Sequence, residues 1–182
     1  MLCAGVTVYA ALRKSGASSG QWVVIAGAGG GLGHLGVQVA SKGMAMRVLG
    51  IDHGSKEKIV MDCGAEAFID ITKFSDDKEM ADEVKRITGL GASAVIVCTA
   101  SNKAYAQALS FLRFGGTLVC VGMPEGDPVP IAKAFPAALV GGAQSIVGSA
   151  VGTQKQALEV LELARRGLVR VSTFGHRRVY VG

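Results

Sequence analysis

The sequence predicts an α/β fold: a doubly wound parallel sheet of about six strands with helices on both faces. Three observations carry that prediction. Short β-branched runs alternate with segments of helical periodicity six times, the rhythm of a parallel sheet built by right-handed crossovers. Apolar residues make up 49% of the 182 residues, enough to bury a sheet from both sides. The 26 glycines suit the many tight turns such a chain must make.

Residues 1–14 read as a short helix, with Leu2, Val6, Tyr9 and Ala10 on one face. Residues 16–20 form a loop feeding the first strand, Trp22–Ala26. A glycine cluster follows, and a helical pattern leaves it through Leu35, Val37, Val39 and Ala40, ending near Lys42 and Gly43. The second strand, Arg47–Ile51, ends on Asp52. Lys56–Cys63 is a helix stopped by Gly64, and Ala67–Ile69 is a short strand. Residues 76–88 carry Met80, Val84 and Ile87 at the spacing of a surface helix. Ala94–Cys98 is the fourth strand, and Lys103–Leu112 a helix with Ala104, Ala108, Leu109 and Leu112 inward. Gly115 and Gly116 turn the chain into the fifth strand, Thr117–Gly122. A proline-rich loop, Met123–Pro130, precedes a helix over 132–140 and the sixth strand, Ser145–Gly148. The last helix is Gln154–Arg166, ended by Gly167. There is no internal repeat beyond the two βαβαβ halves, and no low-complexity segment.

The glycine cluster after the first strand is the stretch that organises the chain. Gly27, Gly30, Gly31, Leu32 and Gly33 stand where a strand turns into a helix. Glycines there allow positive φ and close approach of a ligand, and the amides of the helix start suit a pyrophosphate. A literal G-x-G-x-x-G occurs as Gly31–Gly36, but that register would push the phosphate turn into the helix. Asp52 ends the next strand 19 residues after Gly33, close to the spacing at which an acid meets the adenosine ribose hydroxyls of a Rossmann fold. A carboxylate there accepts from two hydroxyls and repels a 2′-phosphate, which favours NAD over NADP. An Asp capping the next helix is the alternative reading. Asp52, Cys98–Thr99, Gly122–Met123 and Gly148–Ser149 all fall at predicted strand ends, where ligands of open α/β sheets bind.

Bulk composition bounds the partners. The net charge is +5, from 19 basic and 14 acidic residues, and aromatics are 5%. A stacking platform for nucleic acid is therefore not expected, and the arginines at 165, 166, 170, 177 and 178 read as a solvated face. The cysteines Cys3, Cys63, Cys98 and Cys120 show no paired spacing, which points to a reducing compartment. By residue type alone, Cys3 reads as a small buried hydrophobe. The apolar start lacks the basic residues that precede a signal sequence, and no run reaches the ~20 apolar residues of a membrane span. A soluble, cytoplasmic protein without membrane contact is expected.

Taken together, these landmarks resemble the zinc-dependent alcohol dehydrogenases of the medium-chain dehydrogenase/reductase family, of the yeast type. The stretches that match are Met1–Tyr9, the Gly27–Gly33 turn, Val48–Asp52, Val121–Pro124 and Ser145–Ser149, in order over residues 1 to about 170. The resemblance implies that Cys3 is one ligand of a catalytic zinc and that Thr7 packs on the nicotinamide at the reacting centre. It implies that the Gly27–Gly33 turn holds the phosphates, that Asp52 binds the ribose, and that Lys56 lies beside it. It further implies that Val121, Met123, Val147 and Ser149 line the nicotinamide. A zinc ion in that role lowers the pKa of a bound alcohol, whose alkoxide expels hydride to the nicotinamide.

The family's other zinc ligands belong to an N-terminal catalytic domain that this sequence does not match. None of His34, His53 and His176 matches a ligand; His34 and His53 read as surface residues or contacts at the cofactor edge. Residues 1–171 are thus expected to form an NAD(P)-binding Rossmann domain, with 172–182 as a divergent tail and the catalytic domain absent. A truncated product or an isolated domain is implied, with an incomplete zinc site and no turnover of its own. The parent would oxidise a small alcohol or reduce an aldehyde, and would form a homo-oligomer through the edge of its sheet. Two other readings stay open. One is a zinc-free quinone or enoyl reductase of the same family, which has no need of Cys3. The other is a nucleotide-sensing module without chemistry. A short-chain dehydrogenase is disfavoured, since no Tyr-x-x-x-Lys pair occurs.

Overall fold

The computed structural model describes residues 1–172; of the tail expected over 172–182, all but Ser172 lies outside them, His176 included. Six parallel strands form one sheet in the order β3-β2-β1-β4-β5-β6. They are β1 (Trp22–Ala26), β2 (Arg47–Asp52), β3 (Ala67–Asp70), β4 (Ala92–Val97), β5 (Leu112–Cys120) and β6 (Ser145–Gly148). The order reverses between β1 and β4, whose Val23–Ala26 and Ala94–Val97 pair in register. That reversal opens a crevice at the carboxyl ends of the two strands, the place where such sheets bind ligands.

Side-chain alternation along the strands divides the core. Val23, Ile25, Val48, Ala94, Ile96 and Val119 face one layer, while Val24, Ala26, Leu49, Val95, Val97 and Leu118 face the other. The first layer is covered by α1 (Ala4–Lys14), α2 (Gly33–Gln38), α3 (Glu57–Cys63) and α7 (Gln154–Arg165). The second is covered by α4 (Asp77–Thr88) and α5 (Asn102–Ala108), with Leu139 of α6 (Pro136–Gly142) packed at its margin. Apolar groups face inward on both sides of every central strand, so the sheet is buried as the composition predicts.

Local chemistry sets the helix ends. Asp76 caps α4 by accepting from the Lys78 amide, with acids in the first turn and Lys85 and Arg86 in the last, which complements the helix dipole. Thr153 and Gln156 form a reciprocal capping box at α7. Gly64 ends α3 in the left-handed region at φ 112°.

Several expected boundaries move. The helix after the glycine turn is α-helical only to Gln38 and widens into a π-turn over Val39–Gly43. That turn lays Gly43 against α7, where a Cβ would stand 2.8 Å from Leu163 Cδ1. The helix expected over Lys103–Leu112 is Asn102–Ala108, followed by a 3-10 turn at Leu109–Phe111. Gly115 and Gly116 do not precede the fifth strand. β5 begins at Leu112, paired with Ala92, and the register then jumps to Ala94 with Thr117. The residues between are a bulge, with Gly115 at φ 73°. The helix expected over 132–140 is Pro136–Gly142, with Pro136 at its start.

Phe111 is 2% exposed and among the largest side chains sealed in the second layer. Phe111→Ala is expected to cost about 3–5 kcal/mol of unfolding free energy. A urea melt followed by circular dichroism measures it, and a loss under 1 kcal/mol would contradict this packing.

Candidate functional site

The crevice is built around the turn from β1 to α2. Gly27 leaves the strand at φ 79°, a conformation that favours glycine. Its amide and that of Ala28 both donate to the Ile51 carbonyl, at 2.9 and 3.2 Å. Gly30 N–H closes the turn onto the Gly27 carbonyl at 3.1 Å. Helix α2 then starts so close to the turn that a Cβ on Gly33 would stand 2.0 Å from the Gly27 oxygen. Among the described residues, no acceptor meets the Gly31, Leu32 or Gly33 amides, leaving three donors at the helix start.

Asp52, at the end of β2, is drawn into the same turn. Its Oδ2 accepts from the Gly29 amide at 2.8 Å and its Oδ1 from the His53 amide at 2.7 Å. It does not cap α3, whose N-cap position is Lys56. The stem of Lys56 packs over Gly29, where a Cβ would meet Lys56 Cβ at 2.5 Å. Gly27, Gly30, Gly31, Leu32, Gly33, Asp52 and Lys56 are thus brought together. A cavity of about 250 Å³ opens beside them, with Gly27, Asp52 and His53 on one side and Thr99, Ser101 and Gln107 on the other.

Val121 and Met123 follow the end of β5, and Val147 and Ser149 stand at the end of the adjacent β6. Val121 and Val147 are half-buried, Met123 is exposed, and Ser149 is buried with its amide on the Cys120 carbonyl at 2.9 Å. Cys3 and Thr7 form a separate pair at the start of α1. The Thr7 hydroxyl donates to the Cys3 carbonyl at 2.9 Å, and the Cys3 side of the pair is exposed. Exposure corrects the buried role that residue type alone suggests for Cys3. Among the described residues no three His, Cys, Asp or Glu side chains converge to hold a metal. Cys3 by itself does not make a zinc centre, which needs three protein ligands and an open position. Burial pushes the Cys98 thiol up to about 12.

His34 departs most from expectation. It is 2% exposed rather than a surface residue. Its Nδ1 lies 2.8 Å from the Gly30 carbonyl and its Nε2 accepts from the Ser172 amide at 3.3 Å, so the hydrogen bonds assign the proton to Nδ1. Gln107 is a residue of this cavity that the sequence patterns do not single out.

With this geometry in place, similarity to known proteins becomes informative. Residues 31–166 match the family model described as zinc-binding dehydrogenase. The chain belongs to the zinc-binding dehydrogenase family. It is 58% identical over 175 residues to alcohol dehydrogenase 2 of Emericella nidulans, covering 93% of this chain and 48% of that protein. It is 45% identical over 171 residues to an alcohol dehydrogenase of Schizosaccharomyces pombe, covering 93% and 47%. The solved alcohol dehydrogenase of Aeropyrum pernix superposes with a TM-score of 0.80 at 28% identity, over 93% of this chain and 47% of its own. This zinc-binding dehydrogenase chain spans about half the length of the relatives it matches.

Two glycines of the turn separate a packing role from an open one. Gly33→Ala drives a methyl into backbone and is expected to cost about 1–3 kcal/mol. Gly31→Ala meets nothing within 4 Å and is expected to leave the thermal midpoint unchanged. Equal melting of the two variants would contradict this geometry of the turn.

Proposed function

We propose that this chain is the cofactor-binding part of an NAD-dependent alcohol dehydrogenase, in which hydride passes between a small alcohol or aldehyde and the nicotinamide. One observation carries the reading. Three unpartnered amides at the start of α2 stand beside a carboxylate that the same turn holds in place. The amides of Gly31, Leu32 and Gly33 suit the pyrophosphate, with Gly27 and Gly30 shaping the turn. Asp52 keeps lone pairs for both adenosine ribose hydroxyls and would repel a 2′-phosphate, hence NAD over NADP. Lys56 flanks that ribose. Val121, Met123, Val147 and Ser149, at neighbouring strand ends, are assigned to the nicotinamide half, with Thr7 against the reacting ring.

When bound, zinc supplies Lewis-acid activation of the alcohol. Cys3 is proposed as one of its ligands, and the remaining donors are not among the described residues. The 182-residue chain is therefore proposed to bind dinucleotide without turning over alcohol. Residues 1–171 form the dinucleotide domain in this reading. The protein is placed in the cytoplasm as a homo-oligomer, without nucleic acid or membrane as partner. Support for the oligomer comes from β6, an edge strand among the described residues, and from exposed Phe135 and Val140 in the segment that precedes it. Among the described residues, no helix is long and apolar enough to cross a membrane.

Titration of the chain with NADH and with NADPH, followed by nucleotide fluorescence, tests the cofactor assignment. NADH is expected to bind more tightly, and Asp52→Ala to weaken it by about tenfold or more. Equal or tighter NADPH binding would sink the role given to Asp52. Absence of any binding by folded protein would sink the domain reading.

A further inference from the structure

The cavity beside Asp52 extends past the ribose position into the second core layer. Ile71, Phe74, Met80 and Phe111 give it apolar walls, and Gln107 brings a polar group to it. Gln107 is 8% exposed. Its Nε2 donates to Oδ1 of Asp77, in the first turn of α4, at 2.6 Å. A carboxylate only accepts, so this bond fixes which end of the carboxamide faces Asp77. The nitrogen is turned to the acid and the oxygen away from it.

That oxygen meets no donor among the described residues. It is not sealed in protein either, because no sealed side-chain oxygen or nitrogen lacks a partner among them. Gln107 lines the cavity, which leaves that oxygen available to a ligand there. The site therefore combines flat apolar walls, one oriented acceptor, and one Nε2 hydrogen beyond the Asp77 bond. An aromatic base with an amine next to a ring nitrogen acceptor complements it. Adenine has that edge, and a glutamine amide pairs with its 6-amino group and N7.

Building on the dinucleotide reading above, we propose that Gln107 selects the base of the cofactor. Its Oε1 accepts from the 6-amino group and its second Nε2 hydrogen donates to N7, so the pocket prefers a 6-aminopurine to a 6-oxopurine. Asp77 is the positioning residue. It keeps the oxygen turned toward the base, where a 6-oxo group would set two acceptors face to face. Asp52 then reads the ribose, and Gln107 reads the base.

The test compares NADH with reduced nicotinamide hypoxanthine dinucleotide, which carries an oxo group in place of the amine, on the same 182-residue chain by fluorescence titration. The wild-type chain is expected to favour NADH by about tenfold. Gln107→Leu removes both hydrogen bonds and is expected to bind the two dinucleotides alike, through weaker NADH binding. Asp77→Asn keeps Gln107 but lets its amide flip, because an Asn can either donate or accept, and the preference is expected to shrink severalfold. If Gln107→Leu melts early, Asp77→Asn decides the question. Equal affinity of the wild-type chain for both dinucleotides would overturn the proposal while leaving the cofactor site standing. So would a preference that survives in Asp77→Asn and in a folded Gln107→Leu. Absence of binding by either dinucleotide would overturn the cofactor reading, and this proposal with it.

Discussion

The contact between Gly33 and the Gly27 carbonyl governs the rest of the site. Helix α2 sits so close to the end of β1 that no side-chain carbon fits between them, the separation for a Cβ being 2.0 Å. That closeness has two effects at once. It presses the helix onto the sheet, so that Leu35, Val37 and Val39 enter the first core layer. It also aims the first amides of α2 along the crevice where the strand order reverses. Packing and the open amides are thus set by the same absence of side chains, and a turn that served only packing would not need its amides open.

A second constraint ties this turn to its neighbours. The Gly29 amide holds Asp52 at the end of β2, and the Gly27 and Ala28 amides share the Ile51 carbonyl. On the other side, His34 joins Gly30 to Ser172, while Gln38 pairs with both backbone groups of Arg170 at 2.9 Å. The carboxamide of Gln38 therefore serves residue 170 as a strand neighbour would. Through these bonds α2 organises backbone from β1, from β2 and from the segment after α7. Bonds to β2, together with the Gly30–Gly27 bond inside it, hold the turn in shape, which is what preorganised anion recognition requires.

The legible part of the molecule is the part written in local chemistry. Strand runs such as Val23–Ala26 and Val48–Ile51, the glycines at the first turn, and Asp52 after β2 all declare themselves over a few residues. What escapes depends on partners far along the chain. His34 looks like a surface residue in a helical pattern, yet it is buried, and the backbone groups that meet it include one 138 residues away. Gln107 and Asp77 meet across 30 residues, from two different helices. Gly115 and Gly116 read as a turn, because a glycine pair carries the same signal in a turn and in a bulge. Only pairing with β4 tells the two apart.

The same distinction separates the two halves of the chemistry that the family requires. A dinucleotide site can be assembled within one sheet, because its donors are backbone amides of a single turn and its acceptor ends the neighbouring strand. A tetrahedral metal centre has no such economy. Its side chains must converge from several directions on one point and leave a position open. Cys3 stands exposed at the very start of α1, its carbonyl engaged with Thr7 and its thiol outside the core. An exposed thiol is poorly placed for packing but well placed to meet ligands from another part of a protein. The 93% of this chain that aligns with Emericella nidulans alcohol dehydrogenase 2 makes up 48% of that protein's length. In the proposed reading, nucleotide recognition belongs to the sheet itself and activation of the alcohol to its boundary.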